Sequence, residues 1–332
     1  MKKLLSLVVV GVLVLGMLYA PAVVGEEKSL NTNPEKSPTP TYVDELDQQQ
    51  PDQTDGLGIP VGRFPIPEVN LSIQAAQSFI PTKAVLTRVE LYAGRNSTTT
   101  YPCVVAIRDD LTEENIVEVS LDPSEFVVEN YSWVEFDFED IWVEVGETYY
   151  IVCYTENETD NFYAWAANND SESYPNGCAW FSTDEGDTWS NDSLAASQDL
   201  EQKSTNPARP TLLDGNVTWD MCFKTYGIEE TELEIEMTNG IGLSFIIRNI
   251  GNETAYELEW SINVTGGIFG LVNISVTGSL PELLVGEEII ASSGVFLGLG
   301  PIKITVSAWA LNAQKVTGST DAILVIFFIL IR

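Results

Sequence analysis

From Val85 to Tyr92 apolar and polar residues alternate with a period of two, and the same beat returns along most of the chain. Cys103–Ile107, Ile116–Leu121, Trp133–Phe138 and Thr148–Tyr154 repeat it, the last entered through a turn at Glu144-Val145-Gly146-Glu147. Helical spacing is nearly absent. Short strands separated by Gly, Pro and Asn turns predict two stacked antiparallel sheets over residues 43–227, closed by Phe223-Lys224-Thr225-Tyr226-Gly227. Gln198 to Asn216, polar and carrying two prolines, predicts a long loop before that last strand.

A second run of strands begins at residue 228. Leu243–Asn249, Ala255–Val264, Val272–Thr277, Glu288–Phe296, Ile302–Ala310 and Ala322–Ile331 fit a smaller sandwich over 228–332, and charged residues nearly vanish from its centre. The predicted fold class is therefore all-β, a jelly-roll β-sandwich followed by a smaller immunoglobulin-like one. The ten apolar residues Ala322 to Ile331 are half of what a spanning helix requires, and their β-branched and aromatic side chains suit a buried final strand.

The N-terminus changes the picture from fold to address. Lys2 and Lys3, an apolar stretch from Leu4, and Ala20-Pro21-Ala22 have the layout of a secretory leader over residues 1–25. The apolar run to Val24 is about 21 residues, so cleaved signal and retained anchor both fit it, and membrane contact is expected only through that segment if retained. Residues 26–42, with three prolines, read as a spacer. Half of the 20 asparagines open an Asn-x-Ser/Thr triplet: Asn70, Asn96, Asn130, Asn157, Asn169, Asn191, Asn216, Asn252, Asn263 and Asn273. Chance supplies about three, so the surplus predicts a glycosylated, secreted or cell-surface protein.

The 332 residues carry 49 acidic against 16 basic side chains, a formal charge of −33. That field repels phosphate backbones and argues against nucleic acid as a partner. Four cysteines in an exported chain predict two disulfides, with Cys103–Cys153 and Cys178–Cys222 favoured because each joins segments that read as strands. Each would close a loop of about 45–50 residues, worth on the order of 4 kcal/mol.

Residues 44–227 resemble the choice-of-anchor R jelly rolls of exported surface proteins. The resemblance is carried by Ala76-Gln77-Ser78-Phe79-Ile80-Pro81-Thr82, Leu86-Thr87-Arg88-Val89-Glu90-Leu91, Ile107-Arg108-Asp109, Ser132–Phe138, Gly146–Val152 and Phe223–Gly227. It implies the sandwich fold and a surface role, while the four cysteines and the 198–216 insertion depart from it. Ile247–Ala255 and Leu280–Gly286 make the second unit similar to CARDB-type adhesion modules, which implies a spacer or stalk. Ser182-Thr183-Asp184-Glu185-Gly186-Asp187-Thr188-Trp189 matches the Asp-box pattern S-x-D-x-G-x-T-W. A single copy argues for a structural hairpin and against a propeller.

With no histidine in the chain, Ser-His-Asp and Cys-His systems and His-ligated zinc are excluded. No Gly-rich phosphate cradle is present. A paired-carboxylate hydrolase stays open only because so many acids guarantee some close pair, and the expectation is a non-enzyme. Tyr163, Trp165, Tyr174 and Trp180, flanked by Asn168, Asn169 and Asp170, fit a sugar-binding platform or a core of alternating strands; Trp165 and Tyr174 are the members expected to be exposed. Asp109 and Asp110, with Asp184 and Asp187, are candidate calcium ligands, although neither group has EF-hand spacing. No other cofactor is expected. The partner expected is an extracellular glycan or envelope protein, and the competing reading is a structural stalk without a small ligand.

Overall fold

A computed structural model describes residues 43–64, 72–170, 173–191, 219–238 and 240–331. The leader, the spacer, the 198–216 loop, Asn70 and Asn216 lie outside the described residues. All sheets are antiparallel, and the fold is a β-sandwich followed by a second one.

The first body holds β1 (Glu45–Gln50), β2 (Gly58–Arg63), β3 (Ser72–Phe79), β4 (Val85–Arg95), β5 (Cys103–Arg108), β6 (Val117–Leu121) and β7 (Ser132–Trp142). It continues through β8 (Tyr149–Thr155), β9 (Phe162–Asn168), β10 (Ala179–Ser182), β11 (Asp220–Met221) and β12 (Phe223–Ile228). Pairing runs β1-β12-β4-β9-β2-β3-β8-β5-β6, with β7 beside β4, β10 beside β3 and β11 beside β9. The β2–β3 pairing joins one layer to the other. The alternation in β4 resolves as Val85, Leu86, Val89 and Leu91 buried, with Arg88, Glu90 and Tyr92 on the outer face. Facing strands contribute Phe136, Ile151, Tyr163, Trp165 and Phe223 to one apolar core. Each large side chain removed from water there stabilises the fold by roughly 1.5–3 kcal/mol.

The second body packs a three-stranded sheet on a six-stranded one. β13 (Leu233–Thr238), β15 (Ser244–Asn249) and β18 (Glu288–Ser292) form the first. The larger sheet has the order β14-β21-β20-β19-β16-β17, built from β14 (Gly240–Ile241), β16 (Ala255–Gly266), β17 (Val272–Leu283), β19 (Gly298–Ala310), β20 (Ala313–Ile326) and β21 (Phe328–Ile331). Phe245, Ile247, Ile262, Val264, Ile304, Val306 and Leu324 fill the space between them, a core separate from the first. No helix among the described residues is long and apolar enough to cross a membrane.

The end of the chain corrects one expectation. Ala322–Ile331 is not a single buried strand: β20 starts at Ala313, and the chain breaks after Ile326, which holds φ 62°. Ala322, Leu324 and Ile329 point inward, whereas Val325, Ile326, Phe328 and Leu330 face outward. An unbroken apolar run cannot show that strand geometry will bury only every second residue.

Candidate functional site

Three of the four rings nominated from sequence belong to the core. Tyr163 and Trp165 are each 1% exposed and Tyr174 5%. Strand parity explains this, since Tyr163, Trp165 and Ala167 of β9 share the inward face. The Trp165 indole N–H donates to the Cys222 carbonyl at 2.8 Å, and Tyr174 meets Phe223 edge-on at 5.1 Å. Trp165 and Tyr174 are therefore not exposed platform residues. Burial drives the Tyr163 hydroxyl pKa far up and the Tyr174 hydroxyl to about 12. Beneath Tyr174 lies Asp220, 2% exposed, which accepts hydrogen bonds from Gln77 Nε2, Ser173 Oγ and the Tyr174 backbone N–H. Burial raises its pKa despite those three donors, so its carboxylate is a structural anchor held at some electrostatic cost.

Trp180 alone of the four stands outside, half-buried on the outer face of β10. Tyr150, Tyr154 and Trp189 gather with it over Ala76, Val152 and Leu111, a small apolar cap on that sheet. The Asp-box hairpin delivers Trp189 there. Asp184 accepts from Ser182 Oγ, from Thr188 Oγ1 and from the Thr188 N–H, while Gly186 at φ 97° turns the chain and its carbonyl accepts from the Trp189 indole. The carboxylate thus reaches four residues on, to Thr188.

Those bonds also occupy the carboxylate nominated as a calcium ligand in this hairpin. Both Asp184 oxygens are committed to Thr188 and Ser182, hydrogen bonding that lowers its pKa. Asp110 likewise caps Thr112 through its backbone and hydroxyl. Asp109 and Asp187 are exposed, and among the described residues no group of three or more acidic or cysteine side chains could hold a metal. Adding EDTA to the folded protein is expected to leave its melting temperature unchanged within about 1 °C; ΔΔG of even 1 kcal/mol would move it by about 2–4 °C.

No sulfur–sulfur bond joins the four cysteines in this structure. Cys103 and Cys153 sit at diagonal positions of β5 and β8, sulfurs 3.5 Å apart inside the core, where burial and mutual contact push the Cys103 pKa up. Cys178 and Cys222 have different neighbours: Asn191 approaches the first, Gln50 and the Asp52 carbonyl the second. Of the two pairings expected from sequence, the described contacts bring only Cys103 and Cys153 together.

A stronger surface lies on the outer face of β7, β4 and β12, among residues not nominated as site candidates from sequence. Register sets Trp133 against Tyr92, Glu135 against Glu90 and Asp137 against Arg88 on one side of β4, then Lys224 against Glu90 and Tyr226 against Arg88 on the other. Tyr131, Tyr92 and Trp133 form a row of rings with centroids 5.8 and 5.2 Å apart. Lys224 Nζ lies 3.9 Å above the Trp133 ring and 2.8 Å from Glu90; the Arg88 guanidinium lies 3.5 Å over Tyr226 and contacts Asp44, Glu90 and Glu135. Burial pulls the Arg88 pKa down, but Asp44 and then Glu135 outweigh it and raise it. Two glycines make the row fit. A Cβ on Gly58 would stand 2.0 Å from the Tyr131 hydroxyl, and one on Gly94 1.7 Å from the Asn130 carbonyl, so only bare backbone lets residues 130–131 lie across the sheet. The signal was present in the alternation itself: the residues of β4 and β12 that interrupt the apolar beat are these.

Half-exposed rings interleaved with fixed carboxylates and cations can stack on the apolar faces of a sugar and bond its hydroxyls. No family model and no curated protein matches the chain. Among solved structures, a Bacteroides uniformis β-glucuronidase is similar at TM-score 0.22 and 9% identity, over 75% of this chain and 26% of that one. A putative β-galactosidase from Bacteroides fragilis gives TM-score 0.16 and 8% identity, over 82% and 35%. The chain thus spans about a quarter to a third of their lengths, and likeness at this level carries no argument about the site.

Proposed function

We propose that this is an extracellular, N-glycosylated recognition protein without catalysis of its own, whose first sandwich binds a glycan or a glycan-bearing envelope component. The observation that carries the reading is the Tyr131–Tyr92–Trp133 row with its Lys224, Glu90 and Arg88 neighbours on one face. The secretory address is supported by the sequons: Asn130, Asn157, Asn169, Asn191, Asn252, Asn263 and Asn273 are exposed and Asn96 is half-buried, so each offers its amide to a transferase. The second sandwich then spaces the first from whatever holds the chain.

The test is a glycan array probed with the glycosylated, secreted protein. Trp133→Ala and Tyr92→Ala are expected to weaken the glycan that binds by tenfold or more each, about 1.4 kcal/mol, while Trp180→Ala on the other sheet leaves binding unchanged. Equal binding by all three would remove the assigned face. A purely structural stalk is the second reading, favoured by the fact that Arg88 and Lys224 already have carboxylate partners within the face. An array on which the unaltered protein binds nothing would support it.

A further inference from the structure

We propose that one end of the second sandwich is a lipid-docking tip that inserts into a bilayer surface of low charge. Four chain segments meet there. The β16–β17 connection carries Ile268, Phe269 and Leu271, 48%, 94% and 81% exposed. Val295, Leu297 and Leu299 approach from the start of β19, and Val325, Ile326 and Phe328 from the β20–β21 corner. Pairing makes them neighbours: Gly267 N–H bonds the Pro301 carbonyl, Leu299 stands against Val325, Gly298 against Ile326, and Phe328 against Ile241 of β14.

Two independent features separate this end from an ordinary exposed apolar patch. The first is charge. Residues 240–247, 260–281, 289–302 and 322–331 contain no charged side chain. At the chain's average of 20% these 54 residues would hold about eleven. The second is backbone geometry. Among the described residues seven non-glycine ones have positive φ; five are Asp or Glu, and the two apolar ones, Phe269 at 60° and Ile326 at 62°, are both here. Bulky and β-branched residues avoid that region, so the loops hold an unfavourable conformation at residues that stay in water.

The occupant follows from shape and charge. Phe269 and Leu271 stand almost free at the apex of a tight loop, which suits penetration of an interface. A second copy would bring two molecules of formal charge −33 together, and an anionic leaflet would repel the same field. A neutral or zwitterionic surface meets neither objection. The N-terminal run of about 21 apolar residues can itself reach a bilayer, so the tip adds a second membrane contact to the one anticipated from sequence. Asn273 belongs with Thr265 to the outer face of the sheet, so a glycan there would flank the tip.

Because the N-terminal run would bind vesicles unaided, the test reads the tip locally. Amide hydrogen exchange of the full chain is measured with and without phosphatidylcholine vesicles. Exchange across 267–271, 295–299 and 325–328 is expected to slow by tenfold or more with vesicles present. The double variant Phe269→Ser/Leu271→Ser, altered only at exposed positions, is expected to lose that protection. Unchanged exchange at the tip, whether or not the chain sediments with vesicles, would overturn the proposal. So would protection that persists in the double variant, or protection that grows with protein concentration in the absence of lipid, the mark of self-association.

Discussion

Trp165→Ala is expected to destabilise the first sandwich by about 3–5 kcal/mol. With a urea dependence of about 2 kcal/mol/M, that is a midpoint shift of roughly 1.5–2.5 M. The ring is 1% exposed and is among the largest fully buried side chains of the core, so its removal leaves a large cavity there. The Cys222 carbonyl, also bonded by the Tyr92 N–H at 3.2 Å, loses its second donor. Trp133→Ala removes a ring of similar size at a half-exposed site, where the main loss is its contact with Lys224, about 0.5–1 kcal/mol. The two substitutions therefore separate core from platform. Equilibrium unfolding in urea that gave both variants the same midpoint would refute the assignment of either residue.

The fold was legible because strands with one wet face announce themselves by alternation. Val85–Tyr92, Cys103–Ile107 and Thr148–Tyr154 appear as β4, β5 and β8 within a few residues of their expected bounds. Where one segment is apolar on both faces, parity cannot be read, and Ala322–Ile331 therefore reads as one buried strand although the structure divides it. Phe162-Tyr163-Ala164-Trp165 had the opposite difficulty: its parity was plain, but the inward side was not, since either set of alternate residues could face the core. Neighbouring strands decide it. Val61 of β2 and Ala93 of β4, both buried, pair with Tyr163 and Trp165.

The outer aromatic face was missed for a different reason. Tyr92, Trp133, Lys224 and Tyr226 lie up to 134 residues apart, and only the β7-β4-β12 strand order brings them together. No local spacing encodes that order. The Asp box was legible because it is local: Asp184, Gly186, Thr188 and Trp189 meet within one hairpin.

Asn249 instead gathers segments distant in the chain, and substitution there is expected to be nearly as costly as in the core. Asn249 is fully buried. Its Oδ1 accepts from the Thr231 hydroxyl and the Gly251 N–H, and its Nδ2 donates to the carbonyls of Glu253 and Leu283 at 2.7 and 2.9 Å. Every bond the amide can make is made, which ties the entry to β13, the turn after β15 and the end of β17 to one point. Asn249→Ala strands these partners without water, an expected loss of about 3 kcal/mol. Asn249→Asp is expected to cost more at neutral pH, because an oxygen would then face two carbonyls in a dry site. That setting raises the carboxyl pKa above its unfolded value of about 3.9. With a raised folded pKa, stability is retained below the unfolded value and lost as pH rises through the folded one. The gap between Asn249→Asp and the unaltered protein should therefore narrow toward pH 4, whereas the gap for Asn249→Ala stays constant. Thermal unfolding of both variants at pH 4 and pH 7 measures this. A pH-independent gap for Asn249→Asp would mean that the side chain reaches water, and that the amide is not the clamp holding these three segments.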